Sequence, residues 1–248
     1  MKTDSPILLH VPHASTFIPS EELPRFYPVD LADEQLKMTD RYCDELFTGY
    51  DSVVFPVSRL ICDPERFRDD AQEAMSRVGM GSIYIKTSSG AALRKLTHEE
   101  REGLLRRYYD PHHARLTAGV EQKLQTHRRC LIVDGHSFHP SPLPYEPDQD
   151  PNRPDFCIGT DPFHTPEGLA ALAVDFLQWR GFSVSLNRPY AGSLVPLKYY
   201  RRDRRVLSLM IEINRSLYMD VEGRRVGSFD LVHYTVSALL VKLEEKID

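Results

Sequence analysis

The segment Leu131-Ile132-Val133-Asp134-Gly135-His136-Ser137 decides how the rest of the chain reads. Three consecutive apolar residues leave no polar face, the pattern of a central strand buried on both sides in a parallel sheet. The strand then delivers a carboxylate, a glycine that allows close backbone approach, and a histidine at its end. In open α/β sheets that end is where ligands bind. Asp134 is placed to orient an imidazole, as metal-bound histidines require of a neighbour.

Working outward, strands and helices alternate. Residues 6–11, 53–57, 182–186 and 206–213 read as further strands, with Pro56 marking an edge or bulge. The stretch over 59–90 is aperiodic and reads as a long functional loop holding at most a short strand at Ile83-Tyr84-Ile85. Helices are predicted over 31–50, 97–127, 165–180 and 229–246. The second opens on a capping box, Thr97 with Glu100, and should kink or break at Pro111. Thr165 and Ser228 are the expected caps of the last two. Residues 141–155, rich in Pro, Asp and Asn, read as a surface loop. The pattern predicts an α/β fold, a mixed, mostly parallel central sheet flanked by helices, as a single domain over residues 1–248.

Composition narrows the function. The 248 residues, 41% apolar, are enough to bury one substantial core. A net charge of −5, with acids and bases interspersed, disfavours nucleic acid as a partner. The run Arg201-Arg202-Asp203-Arg204-Arg205 reads as a solvated turn. No apolar run approaches the roughly 20 residues that span a bilayer, so no membrane partner is expected. Met1-Lys2-Thr3-Asp4-Ser5-Pro6 is too short and polar for a signal peptide, and a cytoplasmic location is expected. Cys43, Cys62, Cys130 and Cys157 form no CxxC pair, so the ligands of any metal must be His and carboxylates.

Further segments carry groups suited to such a site. His10 and His13 leave the first strand three residues apart, and imidazole is a common zinc ligand. Glu212 lies inside the apolar run Met210-Ile211-Glu212-Ile213, where burial would raise its pKa toward that of a general base working near neutral pH. Asp40 and Asp44, at i and i+4 of a predicted helix, share one face. Arg59, Arg66, Arg68 and Arg94 stand in the loop-rich half, and arginine forks hold carboxylates, so an acidic substrate is implied.

Taken together and in order, these motifs resemble the N-formylglutamate amidohydrolase (N-formylglutamate deformylase) family. The resemblance is carried by Val11-Pro12-His13-Ala14-Ser15, Thr39-Asp40 with Asp44-Glu45-Leu46, Ser58-Arg59-Leu60 with Asp63-Pro64-Glu65-Arg66, Asp134-Gly135-His136-Ser137, Ile158-Gly159-Thr160 and Glu212-Ile213-Asn214-Arg215. It implies a fold similar to the zinc carboxypeptidases and to the aspartoacylase and succinylglutamate desuccinylase group, with one catalytic zinc. The carboxypeptidase pattern pairs its first histidine with a glutamate three residues on. Here Thr16 stands there instead. The resemblance therefore implies His13, His136 and Asp40 as the zinc ligands, Asp44 and His10 being the alternatives to Asp40.

In the same reading Glu212 is the general base, Arg59 is a catalytic residue, zinc and a nearby arginine stabilise the oxyanion, and Arg59, Arg66 and Arg215 are the candidates to hold the substrate's carboxylates. Arg66, Arg215, Asn214 and Arg94 contact a small acidic substrate, and Gly192 belongs to a loop, residues 187–193, that closes over it. The implied reaction is zinc-dependent hydrolysis of N-formyl-L-glutamate to formate and L-glutamate. Another N-acyl-amino-acid deacylase, a carboxypeptidase-like peptidase, or a metal-free binding module on the same fold are the competing readings.

Overall fold

The chain forms, in order, β1 (Ile7–Val11), α1 (Leu31–Met38), α2 (Cys43–Leu46), β2 (Ser52–Val54), α3 (His98–Leu104), α4 (Asp110–His127), β3 (Cys130–Phe138), β4 (Phe156–Gly159), α5 (Glu167–Trp179), β5 (Val184–Leu186), β6 (Val206–Asn214) and α6 (Phe229–Ile247). These elements come from a computed structural model that describes residues 4–247. Met1, Lys2, Thr3 and Asp248, with the start of the N-terminal segment weighed against a signal peptide, lie outside the described residues.

The strands make one sheet in the order β2-β1-β3-β6-β4-β5. Only the β4–β6 pairing is antiparallel, so the sheet is mixed and mostly parallel, as expected. The alternation of strand side chains sorts it into two faces. Leu131 and Val133 of β3, with Leu209, Ile211 and Ile213 of β6, pack into the core beneath α2, α5 and α6. Cys130 and Ile132 point the other way, toward Leu116 and Val120 of α4. Asp134 and His136 continue this second face, and so does Glu212 from β6. The chemistry therefore gathers on the α4 side, at the carboxyl ends of β1, β3 and β6. Among the described residues no helix is long and apolar enough to cross a membrane.

Several local expectations are corrected. The helix predicted over 31–50 breaks after Met38, and Tyr42 takes a left-handed conformation with φ 68° that precedes α2. The reason lies in the backbone: the Asp40 amide donates to the carbonyl of His13 at 3.0 Å instead of bonding back along the helix. Asp44, expected to share a face with Asp40, is instead exposed on α2. The capping box of Thr97 and Glu100 is present. Helical backbone continues through Pro111, which stands at the start of α4, and a π-helical turn over Leu105–Tyr109 joins α3 to α4. The wider turn accommodates a residue that lacks an N–H.

Ile83-Tyr84-Ile85 forms no strand, and Tyr84 makes only an isolated bridge to Met80. Thr165 accepts the Asp161 amide and donates to the Ser208 carbonyl, leaving Pro166 at the start of α5. Ser228 gives its hydroxyl proton to the carbonyl of Leu217. The four-residue strand β4 was not expected at all.

Candidate functional site

Register places the central pair. His136 of β3 is the aligned partner of Glu212 in β6, and His10 of β1 is the partner of Asp134. His13 follows β1 by two residues. A cavity of about 520 Å³ opens over these strand ends, lined among others by His13, Asp40, Arg59, Glu65, Arg66 and Glu212.

The two histidines face each other. The His13 Nε2 proton goes to Asp63 Oδ1 at 2.9 Å and the His136 Nε2 proton to Asp134 Oδ1 at 3.2 Å, while the Glu65 carboxylate lies 3.0 Å from the same His136 nitrogen as an ion-pair contact. In its neutral form each imidazole so bonded would keep its lone pair on Nδ1. The two Nδ1 atoms converge at 3.3 Å. Asp40 Oδ2 completes the cluster, 3.1 Å from His136 Nδ1 and 3.6 Å from His13 Nδ1. Three electron-rich atoms pointed at one place call for a cation, which a proton on His136 or a metal ion supplies. Burial disfavours charge on His136, but the carboxylates of Glu65, Asp134 and Asp40 outweigh it and hold its pKa well above the usual range.

The spacing suits zinc. Two nitrogens bound to one tetrahedral zinc at about 2.0–2.1 Å stand about 3.3–3.4 Å apart. His13, Glu65 and His136 also offer ligand atoms within 4.8 Å of one another, and His10, Glu65 and Asp134 form a second such group. Asp63 and Glu65 received no role from the sequence, although both stand in the Asp63-Pro64-Glu65-Arg66 motif. The signal available was a pair of carboxylates flanked by arginines in a stretch with no period.

The buried acids are held ionised by their neighbours. For Asp40, burial would raise the pKa, but hydrogen bonds from His13 and His136 and the charge of Arg215 hold it well below the carboxylate range. Asp63 is held down against burial by Arg59, His13 and Arg66. Glu212 behaves oppositely. Burial, joined by the nearby Asp40 and Glu65 carboxylates, pushes it up to about 8 against the pull of His136. Its Oε2 is buried with no hydrogen-bond partner among the described residues, and the residue lines the cavity.

The arginines divide by what they already hold. Arg59 donates to Asp63 Oδ2 at 2.7 Å, to the Tyr84 hydroxyl at 3.1 Å and to the Met38 carbonyl at 3.3 Å. Arg215 donates to Asp40 Oδ1 at 2.8 Å and to the Ser137 hydroxyl at 3.1 Å, so it orients Asp40. Arg66 is different: it lines the cavity, its Nε has no hydrogen-bond partner among the described residues, and its contact with Asp63 Oδ2 is a loose 3.8 Å.

Arg94, expected to contact substrate, is buried away from the cavity lining and donates to the carbonyls of Tyr84, Leu60 and Ile61, tying the long loop together. Arg68 is likewise spent, on Glu102 and Asp110. Asn214, also expected at the substrate, instead accepts from the Ser216 amide and donates to the Pro154 carbonyl, shaping the turn that carries Arg215. Gly192 does line the cavity, with φ 95°. His10 lies beneath the site, bonded to Asp134 and His112.

The N-formylglutamate amidohydrolase profile matches residues 5–219. The chain belongs to the N-formylglutamate amidohydrolase family. It is therefore a hydrolase of the amidohydrolase type, and the cavity over β1, β3 and β6 is its candidate active site. Among solved structures, N-formylglutamate amidohydrolase from Ralstonia eutropha JMP134 is similar over 99% of this chain and 95% of that one, with 26% identity and a TM-score of 0.87. A gene product from Agrobacterium tumefaciens shares the fold, with 20% identity and a TM-score of 0.70 over 99% of this chain and 92% of that one. No curated protein sequence matches.

Proposed function

We propose that this amidohydrolase hydrolyses N-formyl-L-glutamate to formate and L-glutamate with the help of one zinc ion. The observation that carries the metal is the convergence of two ring nitrogens, His13 Nδ1 and His136 Nδ1, on one carboxylate oxygen. Asp40 Oδ2 is the nearest such oxygen, and Arg215 binds its other oxygen, so Asp40 would be the third ligand. Glu65 is the neighbouring alternative.

Zinc held there would supply Lewis acidity, making water ionise near neutral pH and polarising the formyl carbonyl. Glu212, unpaired and with a raised proton affinity, would take the proton of the attacking water and pass it to the departing nitrogen of glutamate. Arg59 has three of its five N–H groups engaged and keeps others for the developing oxyanion. Arg66 would hold a substrate carboxylate, and Gly192 and its neighbours would wall the site.

Formate release from N-formylglutamate by zinc-loaded and chelator-stripped protein tests the reading. Activity lost on stripping and regained with Zn²⁺ supports it. Metal-independent turnover overturns the zinc, and a protein that takes up metal without hydrolysing any acyl-glutamate would be a binding module.

One observation favours a second reading. A formyl group is a single carbon, yet the cavity is about 520 Å³ and carries Phe67, Phe138, Tyr145 and Leu197. A longer N-acyl group would fill more of it. Comparing formyl-, acetyl- and succinyl-glutamate separates the two.

A further inference from the structure

Three buried side chains form a column behind His136. His112 of α4, His10 of β1 and Asp134 of β3 are each at most 1% exposed. His10 Nδ1 lies 2.7 Å from Asp134 Oδ1, and an ionised carboxylate can only accept, so that nitrogen bears the proton. His10 Nε2 is then the acceptor in its 2.8 Å contact with His112 Nε2, and His112 is the donor. The other nitrogen of His112, Nδ1, is buried with no hydrogen-bond partner among the described residues. A buried polar atom left unpaired is unfavourable. Here it accompanies a donor aimed at His10.

The far end of the column meets the site. Asp134 Oδ1 also receives the His136 Nε2 proton at 3.2 Å, and Oδ2 accepts the Leu194 amide at 3.1 Å. One carboxylate thus fixes a candidate ligand and a residue of the cavity wall. The π-helical turn over Leu105–Tyr109 lies just before His112 in the chain, and such turns recur at functional sites.

We propose that His112 and His10 are positioning residues, holding the Asp134 carboxylate so that His136 presents Nδ1 toward the metal and Leu194 keeps the cavity wall in place. The inference rests on the metal site proposed above. His112 donates to His10, His10 donates to Asp134, and Asp134 thereby keeps the His136 proton on Nε2.

The test uses the full-length protein with His112→Phe, which removes the donor, and His112→Gln, which keeps an N–H. Zn²⁺ affinity is read by competition with a chromophoric chelator, turnover by formate release, and folding by circular dichroism and melting. For His112→Phe the expected result is zinc binding about 10–100-fold weaker, the usual effect of losing a partner behind a ligand. Turnover should fall with KM within about threefold of wild type, and His112→Gln should recover most of both.

If the Phe variant does not fold, His112→Met takes its place with the same readouts. A folded variant that melts earlier but binds zinc and turns over as wild type shows a merely structural column and overturns the proposal. Wild-type protein that binds no zinc overturns the site reading itself and this inference with it.

Discussion

His136 and Glu212 stand opposite each other on adjacent parallel strands, one bringing a candidate ligand and the other an unpaired carboxylate to the same cavity. Neighbouring strands lie about 4.7–4.9 Å apart. The register thus fixes how far Glu212 stands from the histidine that would hold the proposed zinc. The alignment depends on every ladder pair from Cys130 with Val206 to Phe138 with Asn214, so apolar residues far from the chemistry hold it.

Glu212→Gln keeps the shape of the side chain and removes its basicity. Turnover should fall by about 100-fold or more, since general base catalysis contributes roughly 10²–10⁴. KM and zinc content should stay near wild type. Formate release under saturating substrate measures it, and near-normal turnover would remove Glu212 from its role.

The same residue gives a pH signature in chelator-stripped protein. Its folded pKa of about 8 lies above the 4.5 of an ordinary Glu. Between those values the folded chain binds more protons than the unfolded chain, so stability falls as pH rises through that window. Glu212→Gln has nothing to titrate there. Melting curves should show the two proteins alike near pH 4.5, the variant progressively more stable up to pH 8, and a constant gap above. A gap that shrinks as pH rises would contradict the sign.

In the proposed zinc site Asp40 and Glu65 are the two candidates for the third ligand, and amide replacements separate them. Asp40→Asn should lower zinc affinity by about 100-fold or more, while Glu65→Gln should stay within about threefold of wild type. The order of the two affinities, read by chelator competition, decides the ligand. The reverse order would assign Glu65.

What could be seen in the sequence, and what could not, follows from physical range. His136 and Glu212 were legible because an apolar run around a polar residue announces a buried strand, and strand ends gather ligands. Asp40 was legible as a candidate for the wrong reason: the helix face it was to share with Asp44 does not exist. The break depends on a bond from its amide to His13, far away in sequence, and on a left-handed Tyr42 that no glycine signals.

Nor could the arginines be sorted. Arg66 and Arg94 look alike in sequence, and only tertiary packing gives Arg94 three backbone carbonyls and leaves Arg66 facing the cavity. Strand β4 escaped because four residues after a Pro- and Asp-rich stretch carry too little period to read.

Arg66→Ala should raise KM for N-formylglutamate by about 10–100-fold with a smaller effect on turnover, because a charge-assisted hydrogen bond is worth about 1.5–3 kcal/mol. Comparing N-formylglutamate with its α-amide and its γ-amide identifies the carboxylate involved, since discrimination against one amide should collapse in the variant. Unchanged discrimination against both would mean that Arg66 does not touch substrate.

Gly159 controls the cavity wall from behind. A Cβ added there would stand 2.4 Å from the Gly192 carbonyl oxygen and 2.3 Å from Met210 Cε. The methionine tip can swing aside, but the carbonyl is backbone, and the wall at Gly192 would have to move with it. Gly159→Ala should therefore destabilise the fold by about 1–3 kcal/mol, as overpacking does. It should also raise KM while leaving zinc content unchanged, because His13, Asp40 and His136 lie on other segments. Gly227→Ala is the control, since a Cβ there meets nothing within 4 Å. Melting, zinc content and KM measured on both variants check the argument. A Gly159→Ala protein with wild-type KM would show that the wall does not shape the substrate site.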